Sequence, residues 1–227
     1  MEAEEPFQLD VEEFLLCLRK ARRGASAGPS GLISDHLFLV LENEGDSDLF
    51  VRVGSLLVSG NVPPAIAQAI RLGRMTVLSK PDGGVRGIAV GDIIRRLVAR
   101  SIAKQITKKV EAMTAPFQHA LSTKAGCECV AHILQSMTDL DPDTTITSID
   151  GVGAYDLISR NAMLDGLLQM DGGDQIIPFV RMFYGGPSTY LWEDEMGTTQ
   201  YIPQGEGGLG RHPRTDDWQR ESVCLLG

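Results

Sequence analysis

The chain has 227 residues, 43% of them hydrophobic, with 21 basic and 30 acidic residues and a net charge of −9, which suits one sizeable core or two small ones. No apolar run approaches the eighteen or more uncharged residues of a membrane span. The acidic start Met1-Glu2-Ala3-Glu4-Glu5 is unlike a secretory leader, so an intracellular location is expected, in nucleus or cytoplasm. Cys17, Cys127, Cys129 and Cys224 lack paired metal spacing, and on a helix Cys127 and Cys129 point to different sides, so neither a disulfide framework nor a zinc site with His119 and His132 is expected.

In chain order, Asp10 is the N-cap of a helix over 10–23, with Glu13 placed for a capping box and Val11, Phe14, Leu15 and Leu18 on one face. Gly24-Ala25-Ser26-Ala27-Gly28-Pro29-Ser30-Gly31 breaks it, short helices are predicted at 32–42 and 46–59, and Asn61-Val62-Pro63-Pro64 closes the helical group. Met75 to Leu78 and Val85 to Val90 are strand-like, and Lys80-Pro81-Asp82-Gly83-Gly84 between them is turn chemistry, so they form a hairpin. Asp92 then caps a helix striped with Ile93, Ile94, Leu97, Val98, Ile102, Ile106 and Val110. A helix follows at 126–139. Thr144 to Ile149 reads as a strand delivering Asp150, and helices at 160–170 and 173–184 precede a second hairpin, Ser188 to Glu193 with Thr198 to Ile202.

The acidic average conceals a basic window. Between Arg71 and Val110 there are ten cations (Arg71, Arg74, Lys80, Arg86, Arg95, Arg96, Arg100, Lys104, Lys108 and Lys109) against Asp82 and Asp92, a local charge of +8, so the remainder carries −17. This window is the candidate phosphate-binding surface, although a solvated helix face would also account for single cations in it. Asp150, at a strand end beside the bare backbone of Gly151-Val152-Gly153, offers hard oxygen ligands of the kind Mg²⁺ takes when it is shared with a substrate phosphate.

The stretch Asp150-Gly151-Val152-Gly153-Ala154-Tyr155-Asp156, with Arg160 downstream, resembles the first catalytic motif of reverse transcriptases, especially those of non-LTR retrotransposons and group II introns. Lys80-Pro81-Asp82-Gly83-Gly84-Val85-Arg86 followed by Arg95-Arg96-Leu97 is similar to that family's fingers motif. Gln118 with Gly126 and Glu128 echoes its Q-x-G and G-x-E stretch, and Pro203-Gln204-Gly205 looks like the opening of its next palm motif. Gly28-Pro29-Ser30-Gly31 resembles its upstream P-G-x-D-G turn.

The resemblance implies an α+β right-hand polymerase architecture with an incomplete palm. The N-terminal helical segment would be 1–70, the fingers hairpin and helices 71–143, the partial palm 144–208, and an atypical, disordered tail 209–227. It implies that Asp150 ligates Mg²⁺ with the carbonyl of Gly151, that Lys80 and Arg86 hold the triphosphate of a dNTP, that Tyr155 excludes a 2′-hydroxyl, and that Gln204 lines the nucleotide pocket. RNA template and DNA primer would be the partners. The role of Asp156 stays open between loop support and metal contact.

The chain departs from the family in one respect that governs activity. Two-metal transfer needs further carboxylates from a Tyr/Phe-x-Asp-Asp hairpin, and no such sequence occurs; Asp216-Asp217, between Thr215 and Trp218, lacks the apolar strand residues that would present it. The likeness stops at Gly208, and 209–227 reads as another frame or a mis-joined exon. The expected function is a truncated reverse transcriptase, inactive alone. The alternative is a non-catalytic nucleic-acid-binding remnant using the 71–110 window.

Overall fold

The computed structural model describes residues 7–79, 81, 85–120, 123–149, 159–186, 188–194 and 196–203, with backbone alone at Val85 and Arg86. Lys80, Asp150, Gly151, Tyr155 and Gln204 lie outside the described residues.

Asp10 opens α1 (Val11–Arg19), its carboxylate accepting the Glu13 N–H at 2.8 Å. The helix stops at Arg19, short of the predicted 23, because tertiary partners claim the next residues. Ser34 Oγ donates to the Arg22 carbonyl at 2.7 Å, and Arg23 pairs with Asp35 and lies 4.7 Å over the Phe38 ring. The predicted 32–42 helix is α2 (Ser34–Leu37) running into a 3-10 turn (Phe38–Glu42), and α3 is Glu44–Val58. Phe14 of α1 stacks on Phe50 of α3 with centroids 5.1 Å apart, and with Cys17, Leu18, Leu57 and Val58 forms the buried interior of this helical layer. Pro63-Pro64 does not end the helical group. Pro64 is the first residue of α4 (Pro64–Arg71), where a missing N–H costs nothing.

The two predicted hairpins both form, β1 (Gly73–Ser79) with β2 (Val85–Gly91) and β3 (Thr189–Glu193) with β4 (Thr199–Pro203). They join into one four-stranded sheet, order β2-β1-β3-β4, through a two-pair parallel ladder, Gly73 to Tyr190 and Arg74 to Leu191. A Cβ on Gly73 would sit 3.0 Å from the Tyr190 ring, so glycine is what lets that ring cover the junction, with Met75, Ala89, Trp192 and Ile202 packed around it.

Asp92 caps α5 (Ile93–Thr114) by accepting the Ile94 N–H at 3.0 Å. Its N-terminal half buries Ile93, Leu97, Val98, Ser101 and Ile102, whereas Ile106 and Val110 are only partly covered. After α6 (Gly126–Leu140) come α7 (Arg160–Gln169), a 3-10 turn (Asp174–Ile176) and α8 (Ile177–Tyr184). α8 packs against α3, α4 and α7.

The described residues up to Lys104 and those from Ser159 onward form one compact unit, and those from Gln105 to Ile149 form a second. In the second, α6 buries no residue. The predicted strand at Thr144 to Ile149 is irregular backbone, with Ile149 89% exposed. β propensity reports packing on neighbouring strands, and this segment pairs with no described strand. The fold class is α+β: eight α-helices and one four-stranded sheet among the described residues.

Candidate nucleotide and nucleic-acid site

The sheet fixes where the predicted nucleotide-holding residues attach to the chain. β1 ends at Ser79, the residue before Lys80, and Arg86 pairs with Leu78 near that end. Pro203, the residue before Gln204, pairs with Thr189, and Tyr190 pairs with Gly73, so β4 runs out at the end of the sheet where β1 begins. From the level of Leu78 to that of Gly73 is five residues of strand, roughly 17 Å. One sheet therefore carries both attachment points, at opposite ends of its ladder.

The glycine-rich loop predicted at 24–31 packs on the entrance to α5. A Cβ on Gly28 would lie 2.7 Å from the Gly91 carbonyl oxygen and 2.7 Å from Asp92 Cα, and Arg96 donates to the Ser26 carbonyl at 2.9 Å. Burial, the main influence, pushes the Arg96 guanidinium below its ordinary range. In the second unit, the Gln118 side chain accepts the Ala120 N–H, and a Cβ on Gly126 would clash with the His119 carbonyl. Two residues of the Q-x-G and G-x-E likeness thus shape the turn into α6.

Several cations of the basic window make contacts within the fold. Arg71 Nε donates to the Met182 carbonyl, Arg74 pairs with Glu193, Arg95 lies 4.2 Å over the Phe183 ring, and Lys104 binds Glu13. That last bond raises the Lys104 ammonium and lowers the Glu13 carboxyl. Arg100 and Lys108 of α5 are exposed.

Arg160, part of the first-motif likeness, turns out to anchor α8. Its guanidinium donates to the carbonyls of Tyr184, at 3.2 Å, and Gly186, and burial lowers its ordinarily high pKa. Together with Arg71 it satisfies the carbonyls that a helix C-terminus leaves open. The sequence reading missed this arginine-capped helix end. Its signal was the aromatic run Phe179, Phe183 and Tyr184 ahead of Gly185-Gly186, which marks a buried helix that stops sharply.

Among the described residues no group of three His, Cys, Asp or Glu side chains gathers to hold a metal ion, and no helix is long and apolar enough to cross a membrane. No family model matches the chain. It is similar to the Retrotransposable element SLACS 132 kDa protein of Trypanosoma brucei gambiense, 22% identical over an alignment of 203 positions that covers 85% of this chain and 17% of that protein. The chain spans well under a fifth of the length of that protein.

Proposed function

We propose that the chain is part of a retroelement reverse transcriptase, carrying the fingers and the first portion of the palm. The observation that carries this reading is the order of the motifs at Lys80 to Arg86, Gln118 to Glu128, Asp150 to Asp156 and Pro203 to Gly205, within a chain similar along most of its length to a retrotransposable-element protein. The joining of the two hairpins into one sheet also supports it, because it ties the segments bearing Lys80, Arg86 and Gln204 to one framework.

In this reading Asp150 and the Gly151 carbonyl hold Mg²⁺, whose hard-oxygen preference they suit, and the metal supplies charge neutralisation at the transferring phosphoryl group. Lys80 and Arg86 add positive charge at the triphosphate, Tyr155 forms the rigid floor under the sugar, and Gln204 borders the base. Template RNA and primer DNA are the macromolecular partners. Without a Tyr/Phe-x-Asp-Asp sequence the 227 residues lack the second carboxylate source for two-metal transfer, so they hold a nucleotide but do not polymerise it.

The test is primer extension on an RNA template with Mg²⁺, alongside dNTP binding. The expected result is no extension and Mg²⁺-dependent dNTP binding that Asp150→Ala abolishes. Extension that is lost on Asp150→Ala would refute the inactivity, and absence of dNTP binding would refute the reading as a whole.

A second reading, a non-catalytic binder of nucleic-acid backbone, is favoured by the exposure of Arg100 and Lys108 on α5. It predicts steeply salt-dependent binding, weakened by Arg100→Gln and indifferent to Asp150→Ala. Binding that does not change with salt would remove it.

A further inference from the structure

We propose that the cavity between the first turn of α7 and the last turn of α8 binds a phosphate group. The cavity is about 610 Å³, in the range of small-ligand sites, and among the described residues it is lined by Arg160, Asn161, Arg181, Tyr184 and the Gly185-Gly186 turn, with Leu164 as its apolar wall. None of these described lining residues is a carboxylate.

The charge balance around the end of α8 is the core of the argument. A helix C-terminus presents about half a negative charge. Arg71 and Arg160, both bonded to carbonyls of this end, already exceed it. Arg95 adds a third cation, over Phe183 and 5.9 Å from the Tyr184 ring, and Arg181 a fourth. Among the described residues no carboxylate lies within 4 Å of Arg71, Arg95 or Arg181. Arg181 is exposed and bonds none of these carbonyls, so its planar guanidinium is available for the paired hydrogen bonds that a phosphate accepts. Asn161 places an amide at the same cavity. The described residues that form this site are not those assigned to the nucleotide, and the site stands whether or not the chain is a polymerase fragment.

The experiment compares the full chain with Arg181→Gln and with Asn161→Asp, which sets a carboxylate in the cavity while leaving the arginine caps in place. In the first arm, a fluorescein-labelled single-stranded RNA is titrated between about 50 and 200 mM salt. Loss of one phosphate contact weakens binding about five-fold near 0.1 M and flattens the salt slope by about 0.7. In the second arm, thermal unfolding is followed in phosphate and in chloride at matched ionic strength. Phosphate stabilises the native chain, and each substitution removes part of that gain. A change in the RNA arm identifies the ligand as a nucleic-acid backbone phosphate; a change in the phosphate arm alone identifies a free phosphate species. If both variants match the native chain in both arms, the site is overturned, even where Arg100→Gln still weakens RNA binding.

Discussion

Replacing Gly28 by alanine tests how the glycine-rich loop is held. The added Cβ would stand 2.7 Å from the Gly91 oxygen, 2.7 Å from Asp92 Cα and 2.8 Å from Asp92 N, all of them backbone atoms at the junction of β2 and α5. No side-chain rotation relieves such contacts. Ordinary carbon contacts need 3.4 Å or more, so either the loop or the α5 entrance must move by several tenths of an ångström, and overpacking of this kind costs about 1–3 kcal/mol. Gly166 is the internal control. It lies in α7 with nothing within 4 Å of a built Cβ, so Gly166→Ala gains up to about 1 kcal/mol from helix propensity. In urea unfolding followed by circular dichroism, with a slope near 2 kcal/mol/M, the Gly28 variant shifts the midpoint down by roughly 1 M and the Gly166 variant shifts it up by a fraction of that. A Gly28→Ala midpoint equal to the native one would refute the packing of the 24–31 loop on α5, and with it the reason for glycine at that position.

Phe14→Ala empties a fully buried position stacked on Phe50, with an expected loss of about 3–5 kcal/mol in the same assay; a loss below 1 kcal/mol would mean that α1 and α3 do not share a core. Asp194 closes the β3–β4 turn by accepting the N–H groups of Thr198, at 2.8 Å, and Met196, at 3.0 Å, and these bonds, that to Thr198 foremost, lower its pKa. The ionised form therefore favours the folded turn. Its contribution is complete above the usual carboxylate range and disappears as pH falls through the depressed value, so Asp194→Asn should flatten the acid limb of the unfolding-versus-pH curve. An unchanged acid limb contradicts that assignment. Arg86→Ala and Gln204→Ala, measured singly and together for dNTP binding, report whether residues attached at opposite ends of the sheet contact one nucleotide: coupled losses fit a single site, and strict additivity assigns them to separate ones.

Local chemistry was legible in the sequence wherever it was self-contained. The Asp10 and Asp92 caps, both hairpins and α6 all follow from neighbours a few residues apart, where capping, turn residues and periodicity decide the outcome. The resemblance motifs were legible for the same reason, as short runs of fixed residue types. Composition also revealed the +8 window, but the sequence alone could not tell working cations from structural ones.

That sorting was decided by tertiary structure. Arg71, Arg95, Arg160 and Arg181 are spread over more than a hundred residues, yet they gather at the end of α8 because β1 pairs with β3 and α4 packs on α8. Other tertiary contacts, of Ser34 with Arg22 and of Arg23 with Asp35 and Phe38, follow the end of α1 at Arg19. Thr144 to Ile149 has the composition of a strand, but a strand exists only where another offers its hydrogen bonds, and no described strand does so. By itself the sequence determined which short pieces form and which family's motifs they resemble. The fold decided which charges remain available to a ligand, because availability depends on the partners that chain-distant packing supplies.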